Sequence, residues 1–158
     1  MRSGLRAARQ LLTHARFEVI PAGSVEDLVV ESVPPDVTVT VTASPRKGLE
    51  ATLALTEALA GHGYRVVPHI SARLVIDESH LGEIVARLKA CGIDDIFVPA
   101  GDSDPPLGRF DSAFSLLTQI DSFGRPFAHV GITGYPESHP AISDECRQCG
   151  TSDASRLT

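Results

Sequence analysis

An α/β fold built from parallel βα units is what this sequence predicts, on three observations. Short runs rich in β-branched residues alternate with longer runs at helical spacing. Polar residues gather at the ends of the strand candidates: Glu18, Thr42 and Ser44, His69 and Ser71, Asp102, then Tyr135, Glu137 and His139. Aromatics are 5% of the chain and Trp is absent, so the core must rest on Leu, Ile, Val and Ala. Parallel strands need long crossover connections, and the helical runs supply them. Two architectures meet this pattern: an open doubly wound sheet and the first part of a (β/α)8 barrel. In both, ligands meet the C-terminal ends of the strands.

The elements follow in order. Leu5, Ala8, Leu11 and Leu12 read as the inward face of an amphipathic opening helix. Phe17 to Ile20 is a short strand ended by Pro21. Ser24-Val25-Glu26-Asp27 reads as a capped helix start, with an acid three residues after the Ser. Val37 to Thr42 alternates strictly with β-branched residues and is a strand. Leu49, Leu53, Thr56, Leu59 and Ala60 lie on one helix face, and Gly61 and Gly63 stop that helix. A third strand opens at Arg65-Val66-Val67 and runs through His69 to about Val75. Asp77 or Ser79 caps the next helix, whose face is Leu81, Ile84, Val85 and Leu88 and which ends at Gly92. Asp95-Ile96-Phe97-Val98 is the fourth strand. Asp111 caps a helix carrying Ala113, Leu116, Leu117 and Ile120, and Phe127 to Thr133 is the fifth strand. After Pro140 the periodicity is gone.

Composition narrows the function classes. A chain of 158 residues suits one domain with a stable core. A net charge of −6, from 14 basic and 20 acidic side chains, gives no global electrostatic case for nucleic acid. No apolar run approaches the roughly 20 residues that span a bilayer. Residues 1–17 carry Arg2, Arg6, Arg9 and Arg16 and no acid, a texture shared with transit peptides. The amphipathic opening helix is the preferred reading of that stretch, and with no apolar signal region the expected location is the cytoplasm. Three cysteines, an odd count, argue against a disulfide framework. Cys146 and Cys149 form a lone C-x-x-C in an unpatterned tail, where neither a paired zinc site nor a redox helix is expected. Neither G-x-G-x-x-G after the first strand nor a Walker A sequence is present.

Several side chains are placed for chemistry. Glu18 interrupts an apolar strand, so desolvation there would suit it to general acid work; the plainer alternative is an edge-strand Glu facing solvent. His69 closes the third strand, either as a site residue or as a core imidazole bonded to backbone. Gly101 permits close backbone approach, and Asp102 beside it can accept hydrogen bonds from an N–H-rich ring or simply shape a turn. Gly134-Tyr135-Pro136-Glu137-Ser138-His139-Pro140 fixes an aromatic and two titratable side chains between prolines. A metal site at Glu137 and His139 would lack a third ligand at helpful spacing. The only lysines, Lys47 and Lys89, lie outside strands, which disfavours a Schiff-base aldolase.

The order of Phe17-Glu18-Val19-Ile20-Pro21, Thr40-Val41-Thr42, Pro68-His69-Ile70-Ser71-Ala72, Gly101-Asp102 and Gly134 to Pro140 resembles the strand-end motifs of the methylenetetrahydrofolate reductase family, over about residues 16–144. The resemblance implies an incomplete (β/α)8 TIM-type barrel of about five parallel βα units over residues 1–144, with an unpatterned tail over 145–158. It implies reduction of 5,10-methylenetetrahydrofolate to 5-methyltetrahydrofolate with NAD(P)H through FAD. Glu18 then matches the general acid that assists opening of the folate ring, and Asp102 the aspartate near flavin and pterin. Thr42, His69, Ala100, Gly101, Asp102, Tyr135 and His139 match positions lining the cofactor. Two departures stand out. Ala100 replaces an Arg usual in the family, which removes a cation near the cofactor. The chain also offers five strand candidates where a closed barrel of about 250 residues has eight, so truncation, weak FAD binding and low turnover are expected of it alone. The alternative is a non-catalytic half-barrel that binds folate or flavin, or that a second copy or complementing chain completes.

Overall fold

The computed structural model describes residues 15–133. Five strands are present: β1 (Arg16–Val19), β2 (Thr38–Val41), β3 (Val66–Pro68), β4 (Asp95–Val98) and β5 (His129–Ile132). They alternate with four helices: α1 (Val25–Ser32), α2 (Gly48–Gly61), α3 (Glu78–Ala90) and α4 (Ala113–Ser122). A single 3-10 turn, Ala72–Leu74, follows β3.

Every strand pairing is parallel. β1 pairs β2 with Glu18 opposite Thr40, β2 pairs β3 with Val41 opposite Pro68, and β4 pairs β5 with Phe97 opposite Gly131. The sheets β1-β2-β3 and β4-β5 are joined by one parallel bridge, His69 to Phe97, and by Ile70 N–H donating to Phe97 O at 2.8 Å. Strands therefore neighbour one another in chain order, with no reversal. The result is an α/β protein of parallel βα units in open sheets, and the described residues form no closed barrel.

The two faces of the sheet differ. On one, Val39, Val41, Val66, Ile96 and Val98 are buried with Leu53 and Leu59 of α2, Leu81, Ile84 and Leu88 of α3, and Leu116 of α4. The helices cover this face because crossovers between parallel strands share one hand and the strand order never turns back. On the other lie Arg16, Glu18, Val67, His69, Asp95 and Phe97, as the register dictates. There the Arg16 guanidinium on β1 reaches Asp95 on β4 at 3.3 Å, over the two strands between.

Local chemistry sets the boundaries. The Asp77 carboxylate accepts from His80 N–H at 2.9 Å and caps α3. Gly63 and Gly92, both at positive φ, follow α2 and α3. Tyr64 OH donates to Val33 O at 2.8 Å and to Val29 O at 3.2 Å, so it ties off the end of α1. Arg87 on α3 donates to Glu50 and Glu57 on α2, both at 2.7 Å, and clasps the two helices. Its guanidinium holds the Glu50 carboxyl below the usual range.

Four expectations are corrected. β3 stops at Pro68 instead of running to Val75. Past the His69 bridge the chain folds into the 3-10 turn, where Leu74 N–H bonds Ser71 O and Val75 N–H bonds Ala72 O, while Ala72 N–H and Arg73 N–H are drawn to the loop after β4. The apolar character of Leu74 and Val75 reflects burial, not a ladder. Ser24 precedes α1 but its side chain makes no capping bond, since its ψ of 25° is not extended. Ser112, not Asp111, caps α4 by accepting from Ser115 N–H. β5 opens at His129; Phe127 is buried ahead of it. The opening helix and the tail lie outside the described residues. Among the described residues no helix is long and apolar enough to cross a membrane.

Leu59 is fully buried in the helix–sheet core. Leu59→Ala is expected to cost about 2–5 kcal/mol. Urea unfolding should show this as a lower midpoint with an unchanged slope.

Candidate functional site

Three of the strand-end residues meet. β1, β2 and β3 run parallel and in register, so Glu18, Thr42 and His69 rise from one face near the C-terminal ends of adjacent strands. The Thr42 hydroxyl donates to Glu18 Oε1 at 2.8 Å, while Thr42 N–H donates to Val19 O at 2.8 Å and continues the ladder past β2. His69 N–H donates to Val41 O at 2.8 Å, and its ring lies against Phe97 with centroids 4.7 Å apart and planes tilted by 37°. The pair makes an aromatic wall beside the carboxylate.

The electrostatics divide the cluster. Desolvation by burial holds the His69 imidazole below its ordinary value of 6.5, and the Glu18 carboxylate partly opposes this. His69 is thus a neutral ring at neutral pH, with one donor and one acceptor nitrogen. Of the two readings of Glu18 the solvent-facing one holds. Its side chain is exposed: among the described residues β1 is the edge strand of its sheet and Thr42 is the one side chain bonded to the carboxylate.

Ala100, Gly101 and Asp102 follow β4 at the same end of the sheet. Gly101 sits at φ +91°, and a Cβ added to it would lie 1.8 Å from Ser71 Oγ. Its conformation and its approach to the β3 loop both demand glycine. Ala100 is buried and its carbonyl accepts from Ser71 Oγ and from Arg73 N–H. Asp102 is exposed and forms no ion pair among the described residues. No hydrogen bond joins it to the Glu18–Thr42–His69 cluster. Tyr135, Glu137 and His139 lie outside the described residues.

Sequence reasoning missed Phe97 and Arg73. Phe97 shares the period-two alternation of β4 and so had to fall on the face opposite Ile96 and Val98, a signal that was available. Arg73 gave none, because its partners are backbone carbonyls about 30 residues or more away. A cavity of about 1130 Å³ opens elsewhere, at the N-terminal ends of β3, β4 and β5, lined by Arg16, Arg65, Asp94, Asp95 and His129 among others. None of Glu18, Thr42 and His69 lines it. The cluster and not this opening is the candidate site, because parallel sheets gather ligand contacts at their C-terminal ends.

Two outcomes follow for His69. Its folded-state value lies below 6.5, so between the two midpoints the unfolded chain holds more protons on this ring. Stability tied to the neutral ring is complete above about pH 6.5 and falls as the pH drops through that window; His69→Gln should flatten this part of the pH–stability curve. Proton NMR of the His69 ring should titrate below 6.5, and Glu18→Gln should move the midpoint lower still by removing the opposing charge. A midpoint that rises in Glu18→Gln would contradict the coupling. No protein-family model matches the sequence.

Proposed function

We propose that the chain is a five-unit arc of a methylenetetrahydrofolate reductase-type barrel, with its folate and flavin contacts at the C-terminal strand ends. The observation that carries the reading is the meeting of Glu18, Thr42 and His69 on one face, as the motif resemblance requires. Two features of the fold support it. The order β1-β2-β3-β4-β5 lacks the reversal that defines a doubly wound sheet. The Arg16–Asp95 contact closes over strands that would sit roughly 14 Å apart in a flat sheet, so the sheet curls toward that face.

The residues suit the implied FAD. The neutral His69 ring and the Thr42 hydroxyl face the same side, and Asp102 offers a carboxylate with no ion pair among the described residues. Arg46 and Lys47, exposed just after β2, lie at the N-terminus of α2, which has no side-chain cap, and suit phosphate. Bound FAD supplies the hydride relay between NAD(P)H and the folate. The chain's own contribution is orientation and proton supply. The Thr42 hydroxyl fixes Glu18 Oε1 and leaves Oε2 without a hydrogen-bond partner among the described residues. A folate seated over the cluster excludes water, and desolvation favours the neutral, proton-donating form of a carboxyl. That proton goes to the folate nitrogen released as its five-membered ring opens.

The exposed Glu18 on an edge strand, next to Phe17 and Ile20 at 52% and 58% exposure, favours a second reading. In it the half-barrel binds folate or flavin but turns over only when a second chain covers β1.

The deciding assay follows flavin bleaching by NAD(P)H and reoxidation by methylenetetrahydrofolate, on the purified chain with added FAD. The chain alone is expected to turn over slowly. In its assembly with a fragment that completes the barrel, Glu18→Gln is expected to slow reoxidation by about 10²-fold or more, as loss of a general acid does, and to leave bleaching within a few-fold. Equal loss of both steps removes the general-acid role. Binding of folate or flavin without turnover supports the second reading, and binding of neither overturns both.

A further inference from the structure

Arg73 lies just beyond β3, inside the 3-10 turn, and the loop after β4 is laid along it. Its N–H donates to Ala100 O at 3.0 Å and its carbonyl accepts from Leu107 N–H at 2.9 Å. Its side chain adds two bonds to the same loop: Nη1 to Ser103 O at 3.3 Å and Nε to Asp111 O at 3.0 Å. One residue thus holds the loop at positions 100, 103, 107 and 111. Arg87 and Arg109 pair with carboxylates, whereas Arg73 has no acidic partner within 4.0 Å among the described residues. Its planar fork is devoted to backbone carbonyls, a task that a single ammonium point charge performs poorly.

Asp102 sits between the first two of these attachments. Gly101, immediately before it, is seated on Ser71, and the residue after it is held through its carbonyl. The backbone of Asp102 is therefore fixed on both sides while its carboxylate is exposed and forms no ion pair among the described residues. Such a group is a preorganised acceptor: its position is set by neighbours and its lone pairs are not consumed by internal charges.

We propose that Arg73 is the positioning residue for Asp102, acting through the loop to present that carboxylate to the N–H groups of a bound pterin or flavin ring. The assignment rests on the folate and flavin reading of the site.

Two measurements on the whole chain test this. Hydrogen exchange of Arg73→Gln should quicken by about tenfold or more at amides 100–111, with α2 amides unchanged within about twofold. Arg73→Lys should restore little of the protection. Folate affinity, with 5-methyltetrahydrofolate as the probe, should weaken about tenfold in Arg73→Gln and by less than twofold when the same change is made in Asp102→Asn. Unchanged loop exchange overturns the role of Arg73, and so does equal weakening in both backgrounds. Absence of folate binding by the wild-type chain overturns the folate reading and the use assigned to Asp102; exchange then decides separately whether Arg73 holds the loop. If Arg73→Gln fails to fold, Arg73→Lys carries both measurements.

Discussion

The junction between β3 and β4 is the contact on which the rest depends. A single bridge and a few backbone bonds join a three-stranded sheet to a two-stranded one. Those bonds make the two sheets one layer. The buried faces of α2, α3 and α4 meet its Val and Ile side chains. The same junction sets His69 against Phe97 and so brings the site's aromatic wall into being.

The site shows how one feature serves packing and chemistry. His69 gives up water because it lies between Val41 and Phe97, and that loss keeps its ring uncharged. Glu18 keeps its water because it sits at the margin of the sheet. A shielded imidazole and a solvent-open carboxylate thus stand side by side. What would shift the balance for Glu18 is coverage from outside the strand pair, by a ligand or by another strand.

Much of this was legible in the chain. Strict alternation fixed β2, and Asp95 to Val98 reads as β4 residue for residue. Helix ends at Gly63 and Gly92 follow from the need for positive φ. Glu18, Thr42 and His69 could be grouped because parallel strands carry their ends to the same place. The failures share a cause in long-range partners. β3 was read as too long because the pairing that bends it away comes from residues near Phe97 and Pro99. For Glu18 the apolar neighbours left burial and an edge-strand, solvent-facing position both open, since sequence context does not say which strand lies at an edge; the second is observed. Ser24 and Asp27 had the right spacing for a cap, and the backbone dihedral of Ser24 denied it.

Sequential strand order has a kinetic consequence. Each βα unit touches mainly the unit before it and the unit after it, as in a short solenoid. Contacts therefore close over modest stretches of chain, and the loop entropy lost at each step is small. Such a chain can grow its structure from any internal pair outward, by adding one neighbour at a time. Arg16 and Asp95 are the exception, since they join the first strand to the fourth. That contact needs β2 and β3 in place between its partners, so it reports the docking of the first four strands and not nucleation.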